Sequence, residues 1–382
     1  MKTKQRTVLI CFLIMSLLIA GCGQAQPSEP TLMPAPMNTP ILTRTSTLTP
    51  TPADTPTPTL VPTPYGGGTG SLLVVNGQGS LVKFDVKSGT SSQLIELAGD
   101  FTPSPDGKWI AAVNNSETSP KGLYLINVDD GSQSLILGRS DIEDIVWAAD
   151  SSSVAFRVSH AKDYFFQQDI TLYNLDKKTF LTLQTRSYPN PTRGSQISAA
   201  DYIFAPDNSS IYFDARAGNS KTTNIFEIDV TKPGNNPIHL VSINSYVVTN
   251  LKWSPDGKQL AFVNQDEGNI YTLDPISQVV TKLTDLPCDQ QAPCIMTFEW
   301  SQDGKQIVYG RMAFIYRMNS DGSDIGPLTD GSTWAEMPTI SPDGKLIAFV
   351  SNGGDIYVMG IDGSNVTKIT EGSRVEWQPI QR

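Results

Sequence analysis

The sequence contains few of the residues that catalytic and metal sites use most. Its 382 residues include two His and four Cys, and 28 Lys and Arg face 38 Asp and Glu, a formal net charge of −10. A protein that binds the phosphate backbone of a nucleic acid needs a basic surface. The charge balance therefore excludes nucleic acid as an expected partner, and the shortage of His and Cys leaves little for metal chemistry.

The apolar stretch near the N-terminus is too short to span a bilayer. It covers 13 residues, 8–20, after the basic residues Lys2, Lys4 and Arg6, and it ends in Ile19-Ala20-Gly21-Cys22. This length suits a secretory signal, and the ending resembles a bacterial lipoprotein signal. The resemblance implies that residues 1–21 are removed and that Cys22 is acylated, for example with palmitate, which anchors the protein to a bacterial membrane or envelope outside the cytoplasm. The alternative is an ordinary signal peptide with an incidental Cys.

A second region lacks the apolar residues that a folded core requires. Between Pro27 and Pro64, 22 of 38 residues are Pro or Thr, and the charged residues are Glu29, Arg44 and Asp54. Such a segment cannot offset its ordering entropy by burial and favours extended conformations. We therefore interpret residues 22–65 as a disordered linker and residues 66–382 as the folded part.

With Cys11 in the signal and Cys22 lipidated, Cys288 and Cys294 remain. An exported protein meets oxidising conditions, so these two residues are predicted to form a disulfide that closes the loop around them. A metal site is the weaker interpretation, because no second Cys pair or nearby His completes it.

From residue 71 onward the sequence repeats a turn and a following strand. The clearest copies are Trp253-Ser-Pro-Asp-Gly-Lys-Gln-Leu-Ala-Phe-Val263 and Ile340-Ser-Pro-Asp-Gly-Lys-Leu-Ile-Ala-Phe-Val350, and weaker copies begin at Pro103, Trp147, Phe204 and Trp300. The turn Asp lies at 106, 150, 207, 256, 303 and 343. Turn residues that recur at intervals of this size indicate a propeller or a solenoid.

Each repeat predicts a four-stranded antiparallel sheet. Pro and Asp preset the turn, Gly supplies the positive φ that returns the chain to a strand, and a third and a fourth strand follow without helical periodicity. Seven second strands begin near Leu72, Trp109, Val154, Ile211, Leu260, Ile307 and Ile347. The first repeat lacks a first strand, which we expect Val375–Ile380 to supply. The fold class is therefore all-β, a seven-bladed propeller of 28 strands closed by the C-terminal strand, with six or eight blades as the alternative.

These repeats resemble those of TolB-type proteins and of the wider WD-like propeller group, which includes the propeller domains of prolyl-oligopeptidase-type enzymes. The resemblance covers residues 71–382 and rests on Trp-Ser-Pro-Asp-Gly-Lys. It implies the fold, and it suggests a scaffold role in envelope assembly. A related seven-bladed lyase group uses clustered metal-binding His, whereas His160 and His239 lie on different predicted blades. The Gly-x-Ser-x-Gly elbow of serine hydrolases is absent from the sequence.

We interpret the recurring Asp residues as structural residues of turns. They are Asp106, Asp256, Asp303 and Asp343, together with the Asp of the Asp-Gly-Ser turns at 130, 321 and 362. We expect binding instead, on the face that carries the long loops 114–121, 160–169, 184–200, 216–222 and 288–294. Candidate partner-binding residues there are Tyr164, Phe165, Phe166, Arg186, Tyr188, Arg193 and Trp334.

The sequence thus predicts a monomeric lipoprotein, not an enzyme, that binds a protein, peptide or glycan and needs no cofactor or metal. Two alternatives stay open: packing of the aromatic side chains onto the blades, and a hydrolase or lyase with carboxylates in the central channel.

Overall fold

The structure, a computed structural model, describes residues 70–381 except 97–98, 118, 163–164, 184–196, 199–200, 218–219, 233, 289–293 and 296. For 159–162, 165–169, 197–198 and 217 it describes the backbone alone. All described residues belong to one compact unit of the chain. In this part the regular elements are β-strands, and it contains no helix long and apolar enough to cross a membrane.

The described strands form seven antiparallel sheets, which are the blades of a seven-bladed propeller. The first four blades contain β1 (Ser71–Val75), β2 (Ser80–Asp85) and β3 (Ser91–Glu96) in blade 1; β4 (Phe101–Pro103), β5 (Trp109–Asn114), β6 (Gly122–Asn127) and β7 (Gln133–Leu137) in blade 2; β8 (Ile142–Trp147), β9 (Ser153–Lys162), β10 (Phe165–Asn174) and β11 (Thr179–Leu183) in blade 3; and β12 (Ile197–Ser198), β13 (Tyr202–Phe204), β14 (Ser210–Ala217), β15 (Thr223–Asp229) and β16 (Ile238–Ile243) in blade 4.

The remaining strands are β17 (Val248–Trp253), β18 (Leu260–Asn264), β19 (Asn269–Asp274) and β20 (Val279–Lys282) in blade 5; β21 (Thr297–Trp300), β22 (Gln306–Arg311), β23 (Phe314–Asn319) and β24 (Gly326–Pro327) in blade 6; β25 (Ala335–Ile340), β26 (Leu346–Ser351), β27 (Asp355–Gly360) and β28 (Thr367–Glu371) in blade 7; and β29 (Arg374–Trp377), which returns to blade 1.

The C-terminal strand closes the ring, as predicted. Strand β29 pairs antiparallel with β1, and Trp377 lies opposite Leu72. The paired segment is Arg374–Trp377 and is shorter than the predicted strand, which ran to Ile380. Blade 1 is therefore built from both ends of the folded chain.

The apolar core is divided among the blade interfaces. Seven clusters of buried residues occur among the described residues, and each joins two neighbouring blades, including blades 7 and 1. Strand β18 is buried along its whole length, because sheets cover both of its faces. Ring closure replaces a single large core with seven smaller ones.

The Trp of the repeat ties neighbouring blades together by a hydrogen bond. The indole Nε1 of Trp147 donates to the Thr102 carbonyl at 3.0 Å, and Trp253 and Trp377 donate to the Phe204 and Thr339 carbonyls at 2.9 and 3.1 Å. Each bond runs to the inner strand of the preceding blade. Trp300 differs, because its buried Nε1 has no hydrogen-bond partner in the described structure.

Trp147 and Trp300 offer a matched test of this bond, since their exposed fractions are 7% and 8%. Trp147→Phe should lower the free energy of unfolding by about 1–2 kcal/mol more than Trp300→Phe, because it removes an indole hydrogen bond that Trp300 does not make. Urea denaturation curves of the two variants and the wild type measure the difference. Equal losses would show that the indole bond contributes nothing beyond packing.

Two parts of the predicted strand pattern are wrong. The segment 160–169 was predicted to be a loop, but β9 runs to Lys162 and β10 starts at Phe165, and the two ten-residue strands pair along their whole length. In blade 4 the inner position is divided between β12 and β13, both paired with β14. Blade 3 thus extends beyond its neighbours as a long hairpin, and the described strands number 29 where 28 were predicted.

Candidate functional site on the long-loop face

The topology gives the propeller two different faces. The innermost strand of each blade starts at one end of the central channel and ends at the short turn that leads to the second strand. Loops between second and third strands, and the links between blades, therefore lie at the end where the innermost strands start. We call this end the long-loop face and the opposite end the turn face.

The recurring acids of the turn face have structural roles. In the turn after β21, the Ser301 hydroxyl donates to the Asp303 carboxylate at 2.7 Å and accepts from the Gln306 amide at 2.9 Å. Gly304 has φ 68°, which completes the turn. The hydrogen bond from Ser301 holds the pKa of Asp303 below its usual value. The same bonds recur in three other copies, at Ser104, Ser254 and Ser341.

The Asp-Gly-Ser turns use similar chemistry. The Asp321 carboxylate accepts from the Ser323 amide at 2.9 Å and from the Ser323 hydroxyl at 2.6 Å. The turns at Asp130 and Asp362 repeat the amide bond. Among the described side chains no group of three or more His, Cys, Asp and Glu is arranged to hold a metal ion. His239 lies on the outer strand β16 and contacts Asn224 and Ser242.

The channel is lined by charged side chains from the innermost strands, several of them paired across blades. Arg374 of β29 forms an ion pair with Asp100, which precedes β4, and donates to the Phe101 carbonyl at 2.9 Å. Lys252 of β17 forms an ion pair with Glu299 of β21. These contacts connect blade 1 to blade 2 and blade 5 to blade 6 through the channel.

Glu376 shows how closely these charges lie together. Burial raises the pKa of its carboxyl group; the positive charges of Arg374 and Lys252 oppose the shift, and the negative charges of Glu299 and Asp100 add to it. The nearest cation is Arg374, 3.7 Å from the carboxylate. Side chains from four blades therefore act on one carboxyl group.

Two channel acids also serve the backbone of the next blade. The Asp201 carboxylate accepts from the Leu251 amide at 3.0 Å and from the Tyr202 amide at 2.9 Å. Leu251 follows Asn250, whose φ of 58° belongs to an irregularity in β17. Burial raises the pKa of Asp201, and these backbone bonds oppose the shift. Asp100 accepts from the Ile145 amide in a corresponding way, at 3.4 Å.

The predicted binding residues divide into described and undescribed ones. Trp334 lies on the long-loop face just before β25 with 43% of its surface exposed, and its indole nitrogen donates to the Glu336 carboxylate. Met337, which lies in β25, is 46% exposed. Phe165 and Phe166 begin β10, where the structure describes the backbone alone. Outside the described residues lie Cys22, Tyr164, Arg186, Tyr188 and Arg193.

A second exposed aromatic residue on this face was missed at the sequence level. Tyr246, in the link before β17, is 39% exposed, and the Arg216 guanidinium carbon lies 5.7 Å from its ring centroid. The segment 216–222 was predicted to belong to this face. Tyr246 carries no motif, because it lies between blades, and its contact with Arg216 depends on how blade 4 folds.

The predicted disulfide is present on the same face. Cys288 and Cys294 are joined, with their Cα atoms 4.9 Å apart, in the link between β20 and β21. The pair packs over Gly268, where a Cβ would lie 2.7 Å from the Cys288 sulfur. The Ile295 amide donates to the Gly268 carbonyl at 3.2 Å. The disulfide therefore fixes this link against the β18–β19 turn.

Part of the propeller matches a known family. Residues 228–380 match the family described as PD40, TolB beta propeller domain, from β15 through β29. The match lies in the C-terminal part of the chain and agrees with the resemblance of its Ser-Pro-Asp-Gly repeats to TolB-type repeats.

Two curated relatives share part of the sequence. The uncharacterized protein Atu1656 of Agrobacterium fabrum is 31% identical over 132 residues, 30% of this chain and 43% of the relative. The uncharacterized peptidase YuxL of Bacillus subtilis is 23% identical over 198 residues, 41% of this chain and 30% of the relative. The chain thus spans less than half the length of either.

A solved structure shares the fold. Oligogalacturonate lyase in complex with manganese superimposes with a TM-score of 0.56 at 16% identity, over 71% of this chain and 79% of the lyase. Identity at this level shows the propeller fold and nothing about substrate.

Proposed function

We propose that the protein is an extracytoplasmic lipoprotein, held at a bacterial membrane by acylated Cys22, whose propeller binds a protein, peptide or glycan partner through its long-loop face. The observation that carries this proposal is the exposure of Trp334 and Met337 on the long-loop face, just before and within β25. The indole nitrogen of Trp334 donates to the Glu336 carboxylate, which restricts the ring while leaving it partly exposed. Aromatic and Met side chains on a rigid frame are typical anchors of binding interfaces.

Two further observations support this proposal. The Cys288–Cys294 disulfide suits an oxidising compartment outside the cytoplasm. In the channel, Asp100 and Glu299 are paired with Arg374 and Lys252, so these carboxylates contribute to joining the blades. A structural role thus accounts for these channel carboxylates, and the proposed binding function needs no catalytic role for them.

Site-specific photo-crosslinking tests the binding face. A benzophenone amino acid replaces Trp334 in the full-length protein in its host membranes, and the matched control places it at Ile276, which is 97% exposed in a turn of the turn face. We expect a discrete adduct from position 334 and none from 276, and its mass identifies a protein or a glycan. The same adducts from both positions, or none from 334, would refute the proposed face.

The anchor is tested separately. Cys22→Ser should abolish incorporation of labelled palmitate into the protein, because the acylated residue is lost. Equal labelling of the variant and the wild type would show that the anchoring assignment is wrong.

A further inference from the structure

Two cations share one exposed aromatic ring at the rim of the long-loop face. The Arg216 guanidinium carbon and the Lys221 ammonium nitrogen lie 5.7 and 5.9 Å from the ring centroid of Tyr246. Arg216 lies near the end of β14, Lys221 in the loop that follows, and Tyr246 in the link to blade 5. We call these three residues the rim cluster. Both Lys221 and Tyr246 are exposed.

The two cations of the rim cluster have no ion-pair partner among the described residues. Other cations of this acidic chain, such as Lys252 and Arg374, do pair with carboxylates. Among the described residues, the Arg216 side chain makes one hydrogen bond, a long contact of 3.5 Å to the Ser220 carbonyl. Most donor positions of the two cations are thus unpaired within the described part of the chain, and such donors bind anions.

We propose that the rim cluster binds a carboxylate of an acidic segment in a protein partner. This inference rests on the proposed function and names the partner chemistry at one part of the same face. A guanidinium presents two parallel N–H groups that match a carboxylate, and the neighbouring ammonium adds a second charge. The Tyr246 ring holds both cations near each other by cation–π attraction.

The surroundings favour an acidic peptide segment over an acidic polysaccharide. Sugar rings bind by stacking on a free aromatic face, whereas the Tyr246 ring is already contacted by two cations. The exposed Asp266 carboxylate accepts from the Tyr246 amide at 2.8 Å. A uniformly anionic chain crossing the rim would meet this carboxylate, whereas a peptide can place one carboxylate at the two cations and neutral or basic residues beside Asp266.

The test uses the full-length protein in detergent and a short Glu-rich peptide with a net-neutral dye. The second probe is the same peptide with Gln at every Glu, and the third is polygalacturonate as a competitor. We expect the Glu peptide to bind more tightly than the Gln peptide at low ionic strength. The double variant Arg216→Gln, Lys221→Gln should weaken binding of the Glu peptide about tenfold, and added salt should remove the difference.

The matched control is Lys258→Gln, Lys305→Gln, which makes the same charge change on the turn face, where both side chains are well exposed. It should bind the Glu peptide like the wild type. Lys221→Glu provides a second variant in an exposed loop, outside any strand, in case the change in β14 affects folding. Equal binding by the rim variants, or a Gln peptide that binds equally well, would overturn the proposal.

Competition by polygalacturonate that depends on Arg216 and Lys221, with no binding of the Glu peptide, would assign the cluster to a glycan and overturn the peptide inference. The crosslink at position 334 is independent of this result. If it forms while the rim variants bind normally, the inference fails and the proposed binding face stands.

Discussion

A chain that ends after Ser373 should lose the closed propeller, because β29 is then missing. Val375 and Trp377 are each 4% exposed and lie in the core between blades 7 and 1. Removing a buried Trp alone costs about 3–5 kcal/mol, a large part of the stability of a typical domain. The truncation also exposes the edge of β1. We expect the melting temperature to fall by about 10–20 °C, or the cooperative transition to disappear.

The matched control ends after Ile380 and keeps β29. Its C-terminal residues still pack on the turn face, where a Cβ on Gly107 would lie 2.8 Å from the Ile380 backbone. Thermal unfolding followed by circular dichroism compares both truncations with the full chain. A transition unchanged by removal of residues 374–382 would mean that blade 1 is stable with three strands and that β29 does not close the ring.

The propeller was predictable because each copy of the repeat determines a turn and the following strand from residues that are close together in the sequence. The second strands were predicted to begin near Leu72, Trp109 and Val154, and they begin at Ser71, Trp109 and Ser153. Where a Ser-x-Asp-Gly turn precedes the second strand, as before β5 and β22, it is built within six residues by Ser hydroxyl and Asp carboxylate bonds. Ring closure was predictable from the missing strand of blade 1 and from Trp377, which matches the repeat.

The hairpin of blade 3 could not be predicted in this way. Residues 160–169 combine polar and aromatic residues without the alternation that marks a half-buried strand, and were therefore predicted to be a loop. In the structure β9 and β10 continue their pairing through this segment, Gln167 opposite His160. Backbone pairing propagated from the buried part of the blade decides the conformation, and the sequence pattern contains no signal for it.

The candidate site was predictable only in part for the same reason. Trp334 could be placed on the long-loop face, because it immediately precedes a blade whose repeat is clear. The rim cluster joins Arg216 and Lys221 to Tyr246 across β15 and β16. The channel pairs of Arg374 with Asp100 and of Lys252 with Glu299 likewise join separate blades. These contacts form because the folded ring brings together segments that are far apart in the sequence, so no local sequence pattern predicts them.

Arg374→Met should be the most damaging single substitution in the channel. The guanidinium is bonded to Asp100 and to the Phe101 carbonyl, and its central carbon lies 4.5 Å from the Phe101 ring centroid. Its loss leaves Asp100 and Glu376 without this cation. Breaking a buried pair costs about 3–5 kcal/mol, but the side chains of Arg374 and Asp100 are 35% and 30% exposed. We therefore expect the free energy of unfolding to fall by about 2–4 kcal/mol.

Arg139→Met is the control, because Arg139 pairs with Asp141 at similar exposure within one link between blades. This substitution should lower the free energy of unfolding by less than about 1 kcal/mol.

The pH dependence of stability separates the loss of charge from the loss of packing. Burial already raises the pKa of Glu376, and loss of Arg374 should raise it further. A raised carboxyl pKa means that the folded state binds more protons, so the variant should lose stability as pH rises above the usual value of 4.5 and approach the wild type below it. A stability loss that is equal at acid and neutral pH would instead assign the effect to packing on Phe101.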